Sequence, residues 1–403
     1  MGQVAREEQA LLQPLDADRM LARTLAWSAI NSGTGNLPGL ARMAEELAAA
    51  FAELPGEIVL HEPVPVTAID SEGQEMAQEH GRHLVLSVRP EADRRVLLTG
   101  HMDTVYPAAH PFQHPRLLDA ETVNGPGAAD MKGGIAVLCE ALIAFERSRA
   151  AASLGYDVLI NSDEETGSLS SAPLIALLAA GKHAALTYEP SALPDGTLAH
   201  ARGGSGNYSV VATGRSAHAG RNPQDGRNAL LAVADLALRL KALEGDELTV
   251  NPAKIEGGSA NNVVPDTAVL RFNIRPKSAE AAEHFLNSFN GLLRSIETAH
   301  EVQLTTHGGI TRPPKHVDPR AQKLFDLVQA SEAALGRNLG WQPSGGVCDG
   351  NNIAAAGVPV VDTMGVRGGA IHSPGEYLII PSLAERAALS TLVLHRLASG
   401  ALA

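Results

Sequence analysis

Strand-length apolar runs alternate with helix-length Ala/Leu-rich segments along this chain, and that alternation admits few folds. RVLLTG (95–100), a helix over 132–147, YDVLIN (156–161), a helix over 171–180 and AALTYE (184–189) follow one another, an order that implies a mostly parallel sheet covered by helices. The pattern changes at ARGGSGN (201–207). From there the sequence predicts strand NYSVVATG, helix 225–243, strands ELTVNPAKI and TAVLRFNIR, helix 278–298 and strand HEVQLTTH, a β-α-β-β-α-β unit. Beyond the turn-rich linker TRPPKHVDP (311–319), a helix over 320–335, the strand VPVVDT and a helix over 382–398 resume the first pattern. The expected fold is therefore α/β in two parts. A larger domain over 1–204 and 316–403 has a mostly parallel central sheet, and a ferredoxin-like βαββαβ unit over 205–315 is inserted into it.

A chain of 403 residues, 44% of them hydrophobic, has the material for two cores. Its net charge of −13 and its lack of Lys/Arg clusters argue against nucleic acid or an anionic membrane surface as partner. Two cysteines far apart, Cys139 and Cys348, exclude a disulfide framework and a thiolate metal cluster, so any metal is held by nitrogen and oxygen. The N-terminal segment has no basic stretch followed by an apolar core, and no apolar run reaches about 18 residues. The expectation is a cytoplasmic protein.

Open α/β sheets gather ligands beyond the carboxyl ends of their strands. Here LLTGHMD delivers His101 and Asp103, LINSDEETGS delivers Glu164 and Glu165, and LTYEPS delivers Glu189. Asp130 lies in the Gly-rich loop GPGAADMKGG, and His372 lies between turn residues in GAIHSPGEYL. Singly, each has an ordinary explanation: a loop histidine, a solvated acidic run, a helix cap, a turn residue. Together, carboxylates and histidines converging on one sheet edge would repel one another, and a pair of divalent cations held by nitrogen and oxygen, a set that suits Zn²⁺, would neutralise them.

HMD, GPGAADMKGG, DEETGS, YEPS and GAIHSPGEYL, in this order and with the insertion between the fourth and fifth, resemble the M20 metallopeptidase family, especially its glutamate carboxypeptidase branch. The resemblance implies a zinc-peptidase-type three-layer catalytic domain, with the insertion as lid and dimerisation domain of a homodimer. It also implies two Zn²⁺ per chain, in nitrogen/oxygen sites of a kind that Co²⁺ or Mn²⁺ can also occupy. Asp130 would bridge the two ions, His101 and Glu189 would complete one, and Glu165 and His372 the other. Asp103 would orient the ligand histidine, and Glu164 would be the general base that takes a proton from the attacking water. Glu164 and Glu165 are expected in an extended loop, where neighbouring side chains point different ways.

On the insertion, His218 in GRSAHAG matches a lid histidine that reaches into the partner's site and stabilises the oxyanion. Asn262 in SANNVVP and Arg275 in FNIRP match positions that grip a substrate carboxylate. SGGVCDGNN matches a loop near that carboxylate, with Gly345 and Gly346 as substrate-binding positions; Val347 and Cys348 depart from the family pattern. His110, His114, His183, His200, His307 and His316 read as surface or loop histidines. The implied reaction is hydrolysis of an amide in a small peptide or N-acyl amino acid with a free carboxylate, releasing a C-terminal residue such as glutamate. An N-acyl-amino-acid amidohydrolase with the same machinery is the nearest alternative, and a catalytically dead metal-binding scaffold the one from another class.

Overall fold

The computed structural model describes residues 4–402. Its central sheet has six strands. Glu57–His61 and His83–Val88 form an antiparallel edge, and Gly155–Asn161, Arg95–His101, Ala184–Thr187 and Val360–Val361 run parallel beside them.

Alternation along the strands decides which layer each side chain feeds, because successive side chains point to opposite faces. Val96 and Leu98, Tyr156, Val158 and Ile160, and Ala184 and Leu186 belong to a core shared with helices Leu37–Phe51, Gly133–Phe145 and Pro381–Ala398. Leu97, Leu159 and Ala185 face the opposite side, under Ala172–Ala179 and Asp349–Ala355. With both faces covered, the strands are near-continuous apolar runs, as buried parallel strands must be. The helix Gly133–Phe145 is apolar almost all round for the same reason: it lies between the sheet and Pro381–Ala398.

Residues between 205 and 312 build a second sheet, antiparallel, in the order Leu248–Gly257, Thr267–Pro276, Ser205–Thr213, Gln303–Arg312. Helices Ala229–Lys241 and Ala279–His300 cover one face, over a core that includes Tyr208, Phe272, Phe285 and Phe289. The chain enters and leaves this unit side by side: the Arg202 N–H donates to the Lys315 carbonyl at 3.0 Å, and the Lys315 N–H donates to the Arg202 carbonyl at 2.9 Å.

The other face of the small sheet is met by a hairpin of the larger part, Val66–Ile69 paired with Glu75–Gln78. Ile69 packs on Val211 and Val269, and Arg271 Nη2 donates to the Ile69 and Asp70 carbonyls at 2.7 and 2.9 Å. Among the described residues no helix is long and apolar enough to cross a membrane.

Candidate metal centre

The strand Arg95–His101 ends on His101, buried, with its side chain aimed beyond the sheet edge. The loop opposite it starts at Gly127, whose φ of +71° suits glycine, and where a Cβ would lie 2.8 Å from Thr104. Gly134 lets the following helix approach the sheet, since a Cβ there would meet the Tyr188 carbonyl oxygen at 2.1 Å. This close packing presents Asp130 between two imidazoles. His101 Nε2 is 3.1 Å from Asp130 Oδ1, and His372 Nε2 is 3.3 Å from Asp130 Oδ2. His101 Nε2 also stands 3.8 Å from Glu189 Oε2, and His372 Nε2 stands 3.1 Å from Glu165 Oε2. His372 itself has a φ of +61°, a costly backbone for a non-glycine residue that aims its ring inward from an exposed turn.

These contacts define two donor sets, His101/Asp130/Glu189 and His372/Asp130/Glu165, joined through the two oxygens of one carboxylate. Ligand atoms of His101, Asp130 and Glu165, and those of His101, Glu164 and Glu189, each lie within 4.8 Å of one another. The electrostatics call for added positive charge. Burial, and then the charge of Asp130, push Glu165 up to about 7. Burial likewise raises Glu189. Hydrogen bonds to Asp130 and Glu165 raise His372 to about 11. Burial opposes protonation of His101, yet Glu189, Asp103 and Asp130 hold it well above its usual value. Imidazole and carboxylate donors in two such sets fit a pair of divalent cations with borderline nitrogen and oxygen preferences.

Asp103 does more than the sequence suggested. Its carboxylate lies 3.4 Å from His101 Nδ1, while its own carbonyl is closer to that nitrogen at 3.0 Å. The same carboxylate accepts the N–H groups of Glu164 and Glu165 at 3.1 and 3.2 Å and the Thr34 hydroxyl at 2.7 Å. One buried acid thus holds the histidine and the two-glutamate segment in a fixed relation. That segment is a 3₁₀ turn over Glu164–Thr166, where an extended loop was expected. The two amides given to Asp103 wind it up, and its side chains diverge by about 120° per residue.

Glu164 Oε1 accepts from Arg312 Nη2 at 2.6 Å, and Arg312 also reaches Asp349 Oδ1 at 2.5 Å. Arg312 and Lys315 stand in the stretch read as a turn-rich linker, yet both are buried, each with 2% of its side chain exposed. The linker turns inward because each cation meets a buried carboxylate: Lys315 and Arg202 share Asp362 at 2.6 and 2.9 Å.

Glu376, inside GAIHSPGEYL but given no role by the sequence, is 1% exposed. Its Oε1 accepts the N–H groups of Ala129 and Asp130 at 3.0 and 3.1 Å, and its Oε2 accepts the Gly127 N–H at 3.1 Å and the Tyr106 hydroxyl at 3.0 Å. Tyr106 also donates to the Ser373 carbonyl at 2.8 Å.

Two cavities flank the donors. One of about 230 Å³ is lined by Glu189, Arg202, Ser344, Gly346, Cys348 and Thr363 among others. The other, about 480 Å³, includes Glu164, His372, Arg275, Arg312 and Gly346. Arg275 thus faces the donor side, and Gly345 lines a third recess next to it. Burial pushes the Cys348 thiol well up, which suits a packing residue of the cavity wall. His218 and Asn262 are exposed and line neither flanking cavity; they sit on adjoining segments, where the Ala219 N–H donates to the Asn262 carbonyl at 2.9 Å.

Residues 97–396 match the model of peptidase family M20/M25/M40. Carboxypeptidase G2 of Pseudomonas sp. (strain RS-16) is 28% identical over 377 residues, 92% of this chain and 87% of that protein. A succinyl-diaminopimelate desuccinylase of Rhodospirillum centenum is 31% identical over 294 residues, 69% of this chain and 73% of that protein. The fold matches that of a dinuclear metal-binding peptidase of family M20 from Bacillus subtilis with a TM-score of 0.67 at 14% identity, over 97% of this chain and 99% of that one.

Proposed function

The chain belongs to peptidase family M20/M25/M40 and is a metallopeptidase-type hydrolase, and from that premise we propose that it removes a C-terminal amino acid, glutamate above all, from an N-acyl or peptidyl substrate. The observation that carries this reading is the Asp130 carboxylate with one oxygen turned to His101 and the other to His372. His101, Asp130 and Glu189 hold one divalent cation, and His372, Asp130 and Glu165 the other; zinc suits the set, and Co²⁺ or Mn²⁺ can replace it. When bound, such a pair polarises the scissile carbonyl and acidifies water.

The chain's own groups do the rest. Arg312 and the Asp103-bound amides fix Glu164 beside the donors, and its carboxylate takes the proton of the attacking water and hands it to the leaving nitrogen. Arg275, without a carboxylate partner among the described residues, binds the substrate carboxylate through its planar fork, and the Gly345–Gly346 loop forms the adjoining wall. The larger part serves as catalytic domain and the 205–315 unit as lid and dimerisation domain. His218 and Asn262 act on the partner subunit's site of a homodimer, a reading supported by their exposure away from their own chain's donors. Two free, buried cysteines support a reducing compartment, the cytoplasm. A second reading, an N-acyl-amino-acid amidohydrolase with a simple acyl group, is favoured by the desuccinylase relative.

The test is hydrolysis of a panel of peptidyl- and N-acyl-amino acids by the purified protein before and after chelation, with and without added metal. Activity that disappears with the metal and returns with it is expected, and Glu164→Ala should keep wild-type metal content while kcat falls about 10²–10⁴-fold. Hydrolysis indifferent to chelation, or a Glu164→Ala variant that loses both ions, defeats the assignment.

A further inference from the structure

One buried amide reaches both places where the chain crosses between the larger part and the inserted unit. Asn351, 0% exposed, lies on the helix Asp349–Ala355, directly after the loop whose Gly346 and Cys348 line the cavity beside Glu189. Its Nδ2 donates to the Gly203 carbonyl at 2.9 Å, on the way into the unit, and to the Pro313 carbonyl at 2.8 Å, on the way out. Its Oδ1 accepts the Cys348 N–H at 3.1 Å, and this fixes the amide's orientation, since only the NH₂ end can face two carbonyls. Capping of the short helix accounts for the Oδ1 contact and for nothing else. The two N–H groups go to the crossings, 148 and 38 positions away. Asn352 beside it repeats the grip on the exit: its Nδ2 donates to the Thr311 carbonyl at 2.9 Å, and its Oδ1 accepts from Arg312 Nη1 at 2.7 Å.

Each of the two carbonyls held by Asn351 stands next to a group that the reaction needs. The Gly204 N–H, following Gly203, donates to the Pro276 carbonyl at 2.7 Å, and Pro276 ends the strand that carries Arg275. Pro313 follows Arg312, which holds Glu164 Oε1 at 2.6 Å. One amide therefore stands between the holder of the substrate carboxylate and the holder of the general base. Groups that act on two ends of one substrate tolerate little drift, since misplacement by about 1 Å can cost about 10²-fold in rate. We propose that Asn351 is a positioning residue, which sets the spacing of Arg275 from Glu164 by tying both crossings to the cavity loop. It lines neither cavity beside the donors, and it acts through Gly204 and Pro276 on one side and through Pro313 and Arg312 on the other. The inference rests on the hydrolase reading above for the roles of Arg275 and Glu164, and it adds to them a residue outside the donor sets.

Asn351→Asp keeps the shape and removes both N–H groups, so that a carboxylate faces two carbonyls. Hydrogen exchange of the metal-loaded protein, followed by mass spectrometry, is expected to quicken about 10-fold or more in the segments 201–204 and 311–315. The central strand Gly155–Asn161 should keep its wild-type rate. The second readout is the preference, as a ratio of kcat/KM, for a substrate with a free carboxylate over its carboxamide, a ratio that cancels any loss of folded enzyme. The variant should lower that ratio about 10-fold, whereas in an Arg275→Ala background the same substitution should leave it unchanged. Asn351→Ala, which removes the amide without adding a charge, should show the same pattern with a smaller amplitude, and it carries the test if the Asp variant does not fold. Exchange that stays unchanged at the crossings, or quickens equally in the central strand, overturns the proposal, and so does an unchanged ratio. Failure of the hydrolase reading is distinguishable: it shows in the wild type, as no turnover of either substrate, and takes the positioning role with it, whereas failure of the positioning role shows in the variants alone.

Discussion

Replacing Glu376 by glutamine should weaken metal binding although Glu376 touches no metal. The carboxylate takes four hydrogen bonds, two on each oxygen, and three of them come from the loop that presents Asp130. A glutamine can keep only one oxygen. The arrangement that costs least leaves its carbonyl on the Ala129 and Asp130 N–H groups and turns its NH₂ toward Tyr106 and Gly127. The Tyr106 hydroxyl can accept from that NH₂ and still donate to Ser373, but the Gly127 N–H then faces another donor. One stranded, buried N–H and the loss of charge on the remaining acceptor amount to about 1–3 kcal/mol. If about 2 kcal/mol of that falls on the metal-binding conformation of the loop, the metal Kd rises about 30-fold. The assay is competition with a chromophoric chelator at pH 8, where the wild-type carboxyl, pushed up to about 7 by burial and Asp130, is mainly ionised. Tyr106→Phe, which removes one of the four bonds, should give a smaller effect of the same sign. A glutamine variant with wild-type metal affinity would refute the reasoning, because the loop would then hold its shape without the carboxylate.

Asp130→Ala removes the one carboxylate shared by the two donor sets, so elemental analysis should find at least one of the two ions gone; a stoichiometry near two per chain would end the bridging assignment. If His218 serves the partner's site, Glu164→Ala and His218→Ala homodimers should both be nearly inactive, while their heterodimer, purified through two different tags, regains up to about half of wild-type activity from its one complete site. A verified heterodimer as inactive as its parents would place His218 in its own chain's chemistry or outside it.

The sequence exposes what is local. Strand Arg95–His101 and helix Gly133–Phe145 coincide closely with the runs at 95–100 and 132–147, because an apolar run bounded by glycine or charge is a short-range signal. The donors are visible for the same reason: His101 ends a strand, Glu189 lies just past one, and Asp130 and His372 sit in glycine-marked segments. What holds the donors is not visible. Glu376 reaches the Asp130 amide across 246 positions, and Arg312 reaches Glu164 across 148. Arg312 has no periodicity or neighbour that marks it, and Glu376, although it lies inside GAIHSPGEYL, has nothing local that tells it from an ordinary acid of a surface turn. Arg312 and Lys315 even sit among prolines, where a polar linker is the natural expectation; the carboxylates of Glu164, Asp349 and Asp362, supplied by other elements, make burial of those cations tolerable. The 3₁₀ turn at Glu164–Thr166 was missed for a related reason, since its winding depends on Asp103 from the loop after a different strand.

The hairpin Val66–Ile69/Glu75–Gln78 sets the kinematics of the smaller sheet. Its two covalent connections run together at Arg202 and Lys315, and a body attached at a single place can turn about it in any direction. Arg271 grips the Ile69 and Asp70 carbonyls on the far face of that sheet, well away from the attachment, and Ile69 is wedged against Val211 and Val269. Two separated supports leave one free rotation, about the line joining them. If the unit acts as the proposed lid, a swing that brings Arg275 nearer to Glu164 would follow that line or drag the hairpin along, and the stiffness of an element outside the catalytic constellation would set how far the site closes.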